Sequence, residues 1–298
     1  MKALIVYNGS IEIEKIDLLV EKIKTEAENR GIECDKVKNN QIIPLYDVYG
    51  EARYGQNMVL KDVDCIIFWD KDVSLAKYLE DLKIKVFNKA DAIEICDSKI
   101  KLHQFLSGSG IKTPKTIIGP LAYYKQNLNK EYFDKIISEL GPNFILKEAN
   151  GSFGMQVYQI KNFNSFTEIM EKIGNNEFLM QKNILTSEGR DIRVNIVGDK
   201  IVGSMLRINE DDFRANITLG GKGEVIELTD MQKNLALKVH RKLGLDFSGV
   251  DLLFGKNDEV ILCEVNSNVN FLSYEKIANV NIASMIIEHV MGVLNLEE

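Results

Sequence analysis

Proline, tryptophan, histidine and cysteine are all scarce in this chain, at 4, 1, 3 and 4 residues among 298. So few prolines beside 21 glycines exclude a collagen-like or low-complexity chain. The four cysteines, Cys34, Cys65, Cys96 and Cys263, lie far apart, mostly inside apolar runs such as Asp64-Cys65-Ile66-Ile67-Phe68. There is no CxxC pair and no Cys/His cluster, so zinc and dithiol redox motifs have no support. His103, His240 and His289 stand alone on helix-like segments and read as ordinary core or surface residues. No apolar run approaches the length of a membrane span, and Met1–Tyr7 is too short for a signal-peptide core. Positive charge is also in deficit: 37 Lys and Arg against 44 Asp and Glu give a net charge of −7. That argues against a surface built for nucleic acid, although a local basic cleft is compatible with it. The expectation is a globular cytoplasmic protein, with neither nucleic acid nor membrane as a partner.

What is present is a large apolar fraction, 45%, over a length that suggests roughly two domains. The first hundred residues alternate strand and helix signals. Ala3–Tyr7 is an apolar run ending at Asn8-Gly9-Ser10. Ile13, Ile16, Leu19, Val20 and Ile23 then recur at helical spacing, with Gly31 placed to close the helix. Cys65–Trp69 and Ile84–Asn88 read as further strands with a helix between them, a pattern that implies parallel strands and crossover helices. Asn8-Gly9-Ser10 lacks both GxGxxG and a P-loop lysine and reads as a plain strand-to-helix turn. A helix capped by Asp97 is expected to run to Ser107. Phe144–Glu148 reads as a strand entering the loop Ala149–Gly154, and Met155–Ile160 as the next strand. Hairpin turns are expected at Gly198-Asp199 and Gly255–Asp258.

The C-terminal strands carry the clearest chemistry. In Val260–Asn266 side chains alternate, so Glu264 and Asn266 share one face. With a four-residue turn at Gly255–Asp258, Asp251 points to that face as the diagonal neighbour of Glu264. Two carboxylates desolvated so close together need a cation or proton between them. Oxygen donors without a His/Cys shell favour Mg²⁺ or Mn²⁺; pairing with arginines, or exposure at the strand ends, is the alternative. A second group is cationic. Arg190-Asp191-Ile192-Arg193 opens a hairpin whose return ends at Arg207, placed by the two-residue turn on the face of Ile192, Val194 and Met205. Asp212-Phe213-Arg214-Ala215-Asn216 and Gly220–Gly223 follow, a set of guanidinium, amide and backbone donors suited to polyphosphate or to a solvated loop. Lys147 lies on the strand entering the glycine loop, suited to phosphate oxygens or simply to the surface.

In this order the residues resemble the ATP-grasp superfamily, and within it the RimK-type amino-acid ligases. The resemblance runs from Asp97 to the C-terminus: Lys99, then Lys147 with Gly151–Gly154, Gly189–Arg193, Asp212–Asn216 with Gly220-Gly221, Gly249-Val250-Asp251, and Glu264-Val265-Asn266. It implies an α/β (α+β) protein: an ATP-grasp fold with an N-terminal parallel-sheet pre-ATP-grasp domain. The divisions would be 1–95, a central lid subdomain 96–183, and a C-terminal subdomain 184–298. It further implies that Lys99, Lys147, Ser152 and Gly154 meet the phosphates of ATP. Gln181, Lys182, Asn183 and Ile184 would lie against adenine, and Asp191 near the ribose. Asp251, Glu264 and Asn266 would hold one or two Mg²⁺ (or Mn²⁺) ions. Arg214, Ala215 and Asn216 would complete the triphosphate site, and Arg207 would meet the acyl phosphate, so that Arg207 and Arg214 are the catalytic residues.

The implied activity is ATP-dependent, ADP-forming joining of a carboxylate to an amine through an acyl phosphate. The carboxylate would belong to a peptide, carrier protein or metabolite and the amine to an amino acid such as glutamate, in a homo-oligomer. Two features depart from the family pattern. Lys182 stands where relatives commonly have an acidic residue. Ser267-Asn268-Val269-Asn270-Phe271 follows Glu264-Val265-Asn266, closer to the branch that acts on an amino-group carrier protein in lysine or arginine biosynthesis. The competing reading is an ATP-grasp nucleotide-binding or regulatory protein without ligase activity.

Overall fold

The computed structural model describes residues 1–10, 14–124, 126–151 and 154–295. The N-terminal run of apolar residues forms β1 (Lys2–Tyr7), followed by α1 (Glu14–Glu28) and β2 (Glu33–Lys38). A small hairpin, β3 (Leu45–Tyr46) and β4 (Ala52–Arg53), precedes β5 (Cys65–Trp69), α2 (Val73–Asp81) and β6 (Lys85–Phe87). The four longer elements of this region pair in parallel in the order β2-β1-β5-β6, as the strand–helix alternation predicts. β1 is apolar at both parities because both faces are covered. Ala3, Ile5 and Tyr7 share a core with α1, while Leu4 and Val6 pack toward α2.

Next come α3 (Ala90–Asp97) and α4 (Lys99–Leu106). The expected helix start at Asp97 is displaced: the chain breaks at Ser98, whose hydroxyl accepts the Lys101 N–H and caps α4. Asp97 instead ends α3 and pairs with Lys71.

β7 (Thr116–Ile118), α5 (Lys130–Leu140), β8 (Phe144–Glu148), β9 (Val157–Ile160), α6 (Phe163–Ile173) and β10 (Phe178–Lys182) build an antiparallel sheet in the order β7-β10-β8-β9. One parity of β8, Phe144 and Leu146, packs with Phe133 of α5 and Phe166 of α6. The other parity, Ile145 and Lys147, turns away from that core into a cleft.

The far wall of the cleft is a five-stranded antiparallel sheet. It is made of β11 (Arg190–Val197), β12 (Lys200–Ile208), β13 (Lys222–Val225), β14 (Phe247–Phe254) and β15 (Val260–Asn266), in the order β13-β12-β11-β14-β15. α7 (Asp230–Leu243) covers its apolar face, where Ile192, Val194, Ile196, Val250, Leu252 and Leu262 are buried. Thr229 and Gln232 form a capping box at its start, and Gly244 closes it at φ +66°. Such an N-cap is worth about 1 kcal/mol. α8 (Leu272–Ala278) packs against β12 and β13, and α9 (Ile282–Asn295) returns to the first domain's side, beside α1. Among the described residues no single helix is long and apolar enough to cross a membrane.

Two bulges change the registers expected from turn geometry. The Gly198-Asp199 turn does pair Val197 with Lys200, but the register slips between Asn195 and Ile196, leaving Val202 as the extra residue on β12. Arg207 therefore opposes Asp191, and Met205 opposes Arg193, so Arg207 lies on the face of Asp191 and Arg193 and not on that of Ile192 and Val194. At the other hairpin the loop is five residues, closed by Gly255 N–H to the Glu259 carbonyl at 2.7 Å, so Phe254 opposes Val260. A second slip between Asp251 and Leu252 then sets Asp251 directly opposite Glu264.

Candidate active site

The face of the five-stranded sheet turned away from α7 is polar. Asp191, Arg193 and Asn195 come from β11, Arg207 from β12, Asp251 from β14, and Glu264 and Asn266 from β15. Arg207 grips Asp191 with two parallel bonds, Nε to Oδ1 and Nη2 to Oδ2, both 2.6 Å, and its Nη2 lies 3.1 Å from Asp251 Oδ1. Arg193 bonds Asp251 through Nε to Oδ1 and through Nη2 to Oδ2 at 2.8 Å. Asp251 and Arg207 are 2% and 5% exposed, so these charges depend on one another for solvation. Burial opposes ionisation of Asp251, but the Arg193 and Arg207 guanidiniums outweigh it and hold the carboxyl down at about 2. Asp191, expected near the ribose, is thus committed to Arg207, and Asp251 to two arginines.

The lysines are arranged differently. Lys147 is 9% exposed, and among the described residues its ammonium meets only the Cys263 sulfur, at 3.9 Å. Burial pushes the Cys263 thiol up to about 12, so no thiolate balances it. Lys99, on the first turn of α4, borders the same cleft. Burial depresses its ammonium, and the nearby Lys147 adds to that against the opposing pull of Glu264. Among the described residues neither lysine has an ion-pair partner. A buried ammonium at Lys147 and a half-buried one at Lys99, both without an ion pair among the described residues, suit an anion from outside the chain.

The loop after β12 closes one end of this cleft. Arg214 is clamped by Asp212 through Nε at 2.9 Å and Nη2 at 2.7 Å, and its Nη1 donates to the Gly154 carbonyl at 2.7 Å. Ala215 and Asn216 line the cleft beside it. Gly189, at φ +68°, lets this loop pass: a Cβ there would sit 2.4 Å from the Asn209 carbonyl oxygen. Ser152 lies outside the described residues; Gly154 lines the cleft. On the opposite side runs the segment after β10. Gln181 is buried, its amide nitrogen 2.7 Å from His103 Nε2 and 3.0 Å from Thr116 Oγ1. Lys182 is exposed, with its backbone N–H given to the Lys115 carbonyl. Asn183 and Ile184 complete this edge, and the buried Asn183 amide nitrogen has no hydrogen-bond partner.

Ile145, Val157 and Leu253 add apolar surface between the polar groups of these walls. That mixture fits a nucleotide: an apolar slot for a base beside unpaired cations for phosphates. The metal expectation meets a mixed donor set. Glu264 has no ion pair among the described residues, and Asn266 Nδ2 bonds its Oε1 at 3.3 Å. No three His, Cys, Asp or Glu side chains gather at one point among the described residues. The chain thus offers Asp251, Glu264 and the Asn266 amide. That partial oxygen shell suits Mg²⁺ sharing its remaining positions with phosphate and water.

Arg193, part of the cationic group read from sequence, joins this cluster through Asp251, while Glu188 and Cys263 border the cleft without standing out from sequence as site residues. A second cavity shares Arg207, Asn216, Glu264 and Asn266 with the first and extends to the carboxyl ends of β1 and β5.

Comparison with known proteins agrees with this geometry. Residues 96–290 match the model of the RimK-like ATP-grasp domain. The chain is 31% identical to "Probable alpha-L-glutamate ligase" of Histophilus somni (strain 2336), covering 91% of this chain and 93% of that one. It is 33% identical to human N-acetylaspartylglutamate synthase A over 76% of this chain, but spans only 57% of that protein's length. Among solved structures, D-alanine–D-alanine ligase from Bacillus anthracis complexed with ATP superposes with a TM-score of 0.76, at 18% identity and full coverage of both chains, which establishes a common ATP-grasp fold. By its sequence match and its architecture together, the chain belongs to the RimK-like ATP-grasp family.

Proposed function

We propose that the chain is an ATP-dependent, ADP-forming carboxylate–amine ligase that adds an amino acid, glutamate in the first instance, to a small or peptidic carboxylate. The observation that carries this is the pair of ion-pair-free lysines, Lys99 and Lys147, facing the unpaired Glu264 and the Arg207 cluster in one cleft. A binding protein needs cations for phosphate, but has no need of a guanidinium buried between two aspartates where the two cavities meet.

In this reading Lys99, Lys147 and Arg214 hold the triphosphate, and the Gln181–Ile184 edge with Ile145 and Leu253 holds the base. Asp251, Glu264 and Asn266 would hold Mg²⁺, which supplies charge neutralisation at the phosphate oxygens. The substrate carboxylate attacks the γ-phosphorus, ADP leaves, and the acyl phosphate then yields its carbonyl to the amine, releasing phosphate. Catalysis by the chain is mainly positioning and electrostatic. Arg207 lines both cavities and so provides fixed positive charge where the acyl oxygen becomes negative. No side chain acts as a nucleophile, in keeping with thiols pushed up to about 11 at Cys34 and about 12 at Cys65, Cys96 and Cys263 by burial.

The test is release of ADP and phosphate from ATP with Mg²⁺, against carboxylates crossed with amino acids, with product masses recorded. The reading requires release that depends on both partners and a product equal to their sum minus water. ATP binding without turnover on any pair, with cell extract added as a source of macromolecular acceptors, would leave a nucleotide-binding protein in its place.

A further inference from the structure

In the order β2-β1-β5-β6 the chain leaves β1 toward β2 on one side and leaves β5 toward β6 on the other. The carboxyl ends of β1 and β5 therefore form the topological switch point, the crevice where open parallel sheets take their ligands. The first residue beyond each strand is polar: Asn8 after Tyr7, and Asp70 after Trp69. They are joined there, Asn8 Nδ2 lying 3.1 and 3.4 Å from the two oxygens of Asp70.

Asp70 is only 4% exposed, yet among the described residues no cation meets it. The neighbouring Lys71 donates its backbone N–H to Asp70 at 2.7 Å, but sends its ammonium to Asp97. A carboxylate buried with two neutral donors and no counter-charge is costly to maintain unless a cation arrives. A second, independent observation lies across the same cavity. Asn195 on β11 is 2% exposed, and its side-chain oxygen is buried with no hydrogen-bond partner. Both groups line the second cavity, which shares Arg207 and Glu264 as lining residues with the nucleotide cleft. The missing partner must therefore donate hydrogen bonds and carry positive charge, which a primary ammonium does with three N–H groups. Lys15, which has no ion pair among the described residues, lines the same cavity and suits a carboxylate of the same molecule.

We propose that Asp70, assisted by Asn8 and Asn195, is the anchor for the ammonium group of a free α-amino acid, bound at the switch point of the N-terminal sheet. Its role as a substrate site rests on the ligase reading; its role as a binding site rests on the cavity alone.

Trp69 is the chain's single tryptophan and lines this cavity, so its emission reports occupancy. The full chain, saturated with AMP-PNP and Mg²⁺, is titrated with each of the common amino acids. Every amino acid that binds is compared with its des-amino analogue, as L-glutamate with glutarate. The anchor requires saturable binding of an amino acid and a loss of about 10- to 100-fold in its analogue, the range for removing a charged hydrogen-bond partner. Asp70→Asn should show the same loss with AMP-PNP affinity unchanged. The analogue comparison needs no variant and holds even if Asp70→Asn folds poorly. Equal binding of amino acid and analogue, binding of none, or tighter binding of a peptide N-terminus than of every free amino acid would overturn the anchor. An amino acid bound in the expected pattern by a chain that forms no amide keeps the anchor and removes the ligase reading. Undiminished amide formation by a folded Asp70→Asn does the reverse.

Discussion

Arg207→Met is the perturbation that bears on both the stability and the chemistry of the cleft. Methionine keeps most of the side-chain length and removes the charge. In the wild type, Arg207 makes two 2.6 Å bonds to Asp191 and a 3.1 Å contact to Asp251. Asp191 and Asp251 are 8% and 2% exposed, so water cannot replace what is lost. Asp251 retains Arg193, but Asp191 is left with no bonded cation. Removing one member of such a buried set costs about 3–5 kcal/mol, a large part of the roughly 5–15 kcal/mol that holds a typical domain folded.

Urea unfolding followed by circular dichroism reads that loss directly. The double variant Asp191→Leu/Arg207→Met, which removes the stranded anion as well, should recover most of it, because apolar replacement of a buried pair is often neutral. In the ligase assay Arg207→Met should lower amide formation about 10²- to 10³-fold, the usual effect of losing one donor at a developing oxyanion. AMP-PNP affinity should change far less. An Arg207→Met protein within about 1 kcal/mol of wild type, or one with undiminished turnover, would refute the network and its role.

Lys147→Met should weaken AMP-PNP binding by roughly tenfold or more without loss of stability, because a buried cation with no ion pair is removed; calorimetric titration showing equal affinity would contradict its place at the phosphates. Burial depresses His240 from 6.5 to about 4, so the unfolded chain takes the proton first as pH falls. Stability is then flat above about pH 6.5 and falls between there and about pH 4, by at most roughly 3 kcal/mol for this residue. His103 shifts the same way and adds to the loss. Urea midpoints at pH 7 and pH 4.5 should differ less in His240→Gln than in wild type, and an unchanged difference would rule the residue out. Gly189→Ala places a Cβ against the Asn209 carbonyl at positive φ. It should cost about 1–3 kcal/mol and loosen the loop that carries Arg214, seen as a lower melting temperature and weaker nucleotide binding; wild-type values for both would show that the loop tolerates it.

The parts of the fold visible from sequence are those fixed by local pattern. Cys65–Trp69 and Phe144–Glu148 are recognisable because their apolar runs and flanking turns leave one reading, and the structure places both strands on those residues. Registers were harder, and the two hairpins show why. A one-residue slip turns every following side chain to the opposite face. Between β14 and β15 there are two slips, the fifth loop residue and the bulge at Asp251/Leu252, so they cancel in parity. Asp251 and Glu264 share a face as expected, though directly opposed instead of diagonal. Between β11 and β12 there is one slip, and Arg207 exchanges its expected apolar neighbours for Asp191 and Arg193. No turn rule announces such a bulge. What was wholly hidden was pairing across the fold. That Lys99 and Lys147 have no ion-pair partner among the described residues, that Asp251 is shared by two arginines, and that Asn8 and Asp70 meet beyond a switch point are tertiary facts. The strand-to-helix turn at Asn8 gave only a plain local reading, because its partner lies 62 residues away.

The most direct test of the account follows an oxygen atom. With the carboxylate substrate identified and labelled with ¹⁸O in its carboxyl group, the wild-type chain is given ATP, Mg²⁺ and the amine, and the released phosphate is weighed. Attack of the carboxylate on the γ-phosphorus, followed by amine attack at the carbonyl, places one labelled oxygen in each phosphate and leaves ADP unlabelled. Unlabelled phosphate accompanying amide formation, or release of AMP in place of ADP, would contradict the acyl-phosphate ligase on which the reading of the cleft depends.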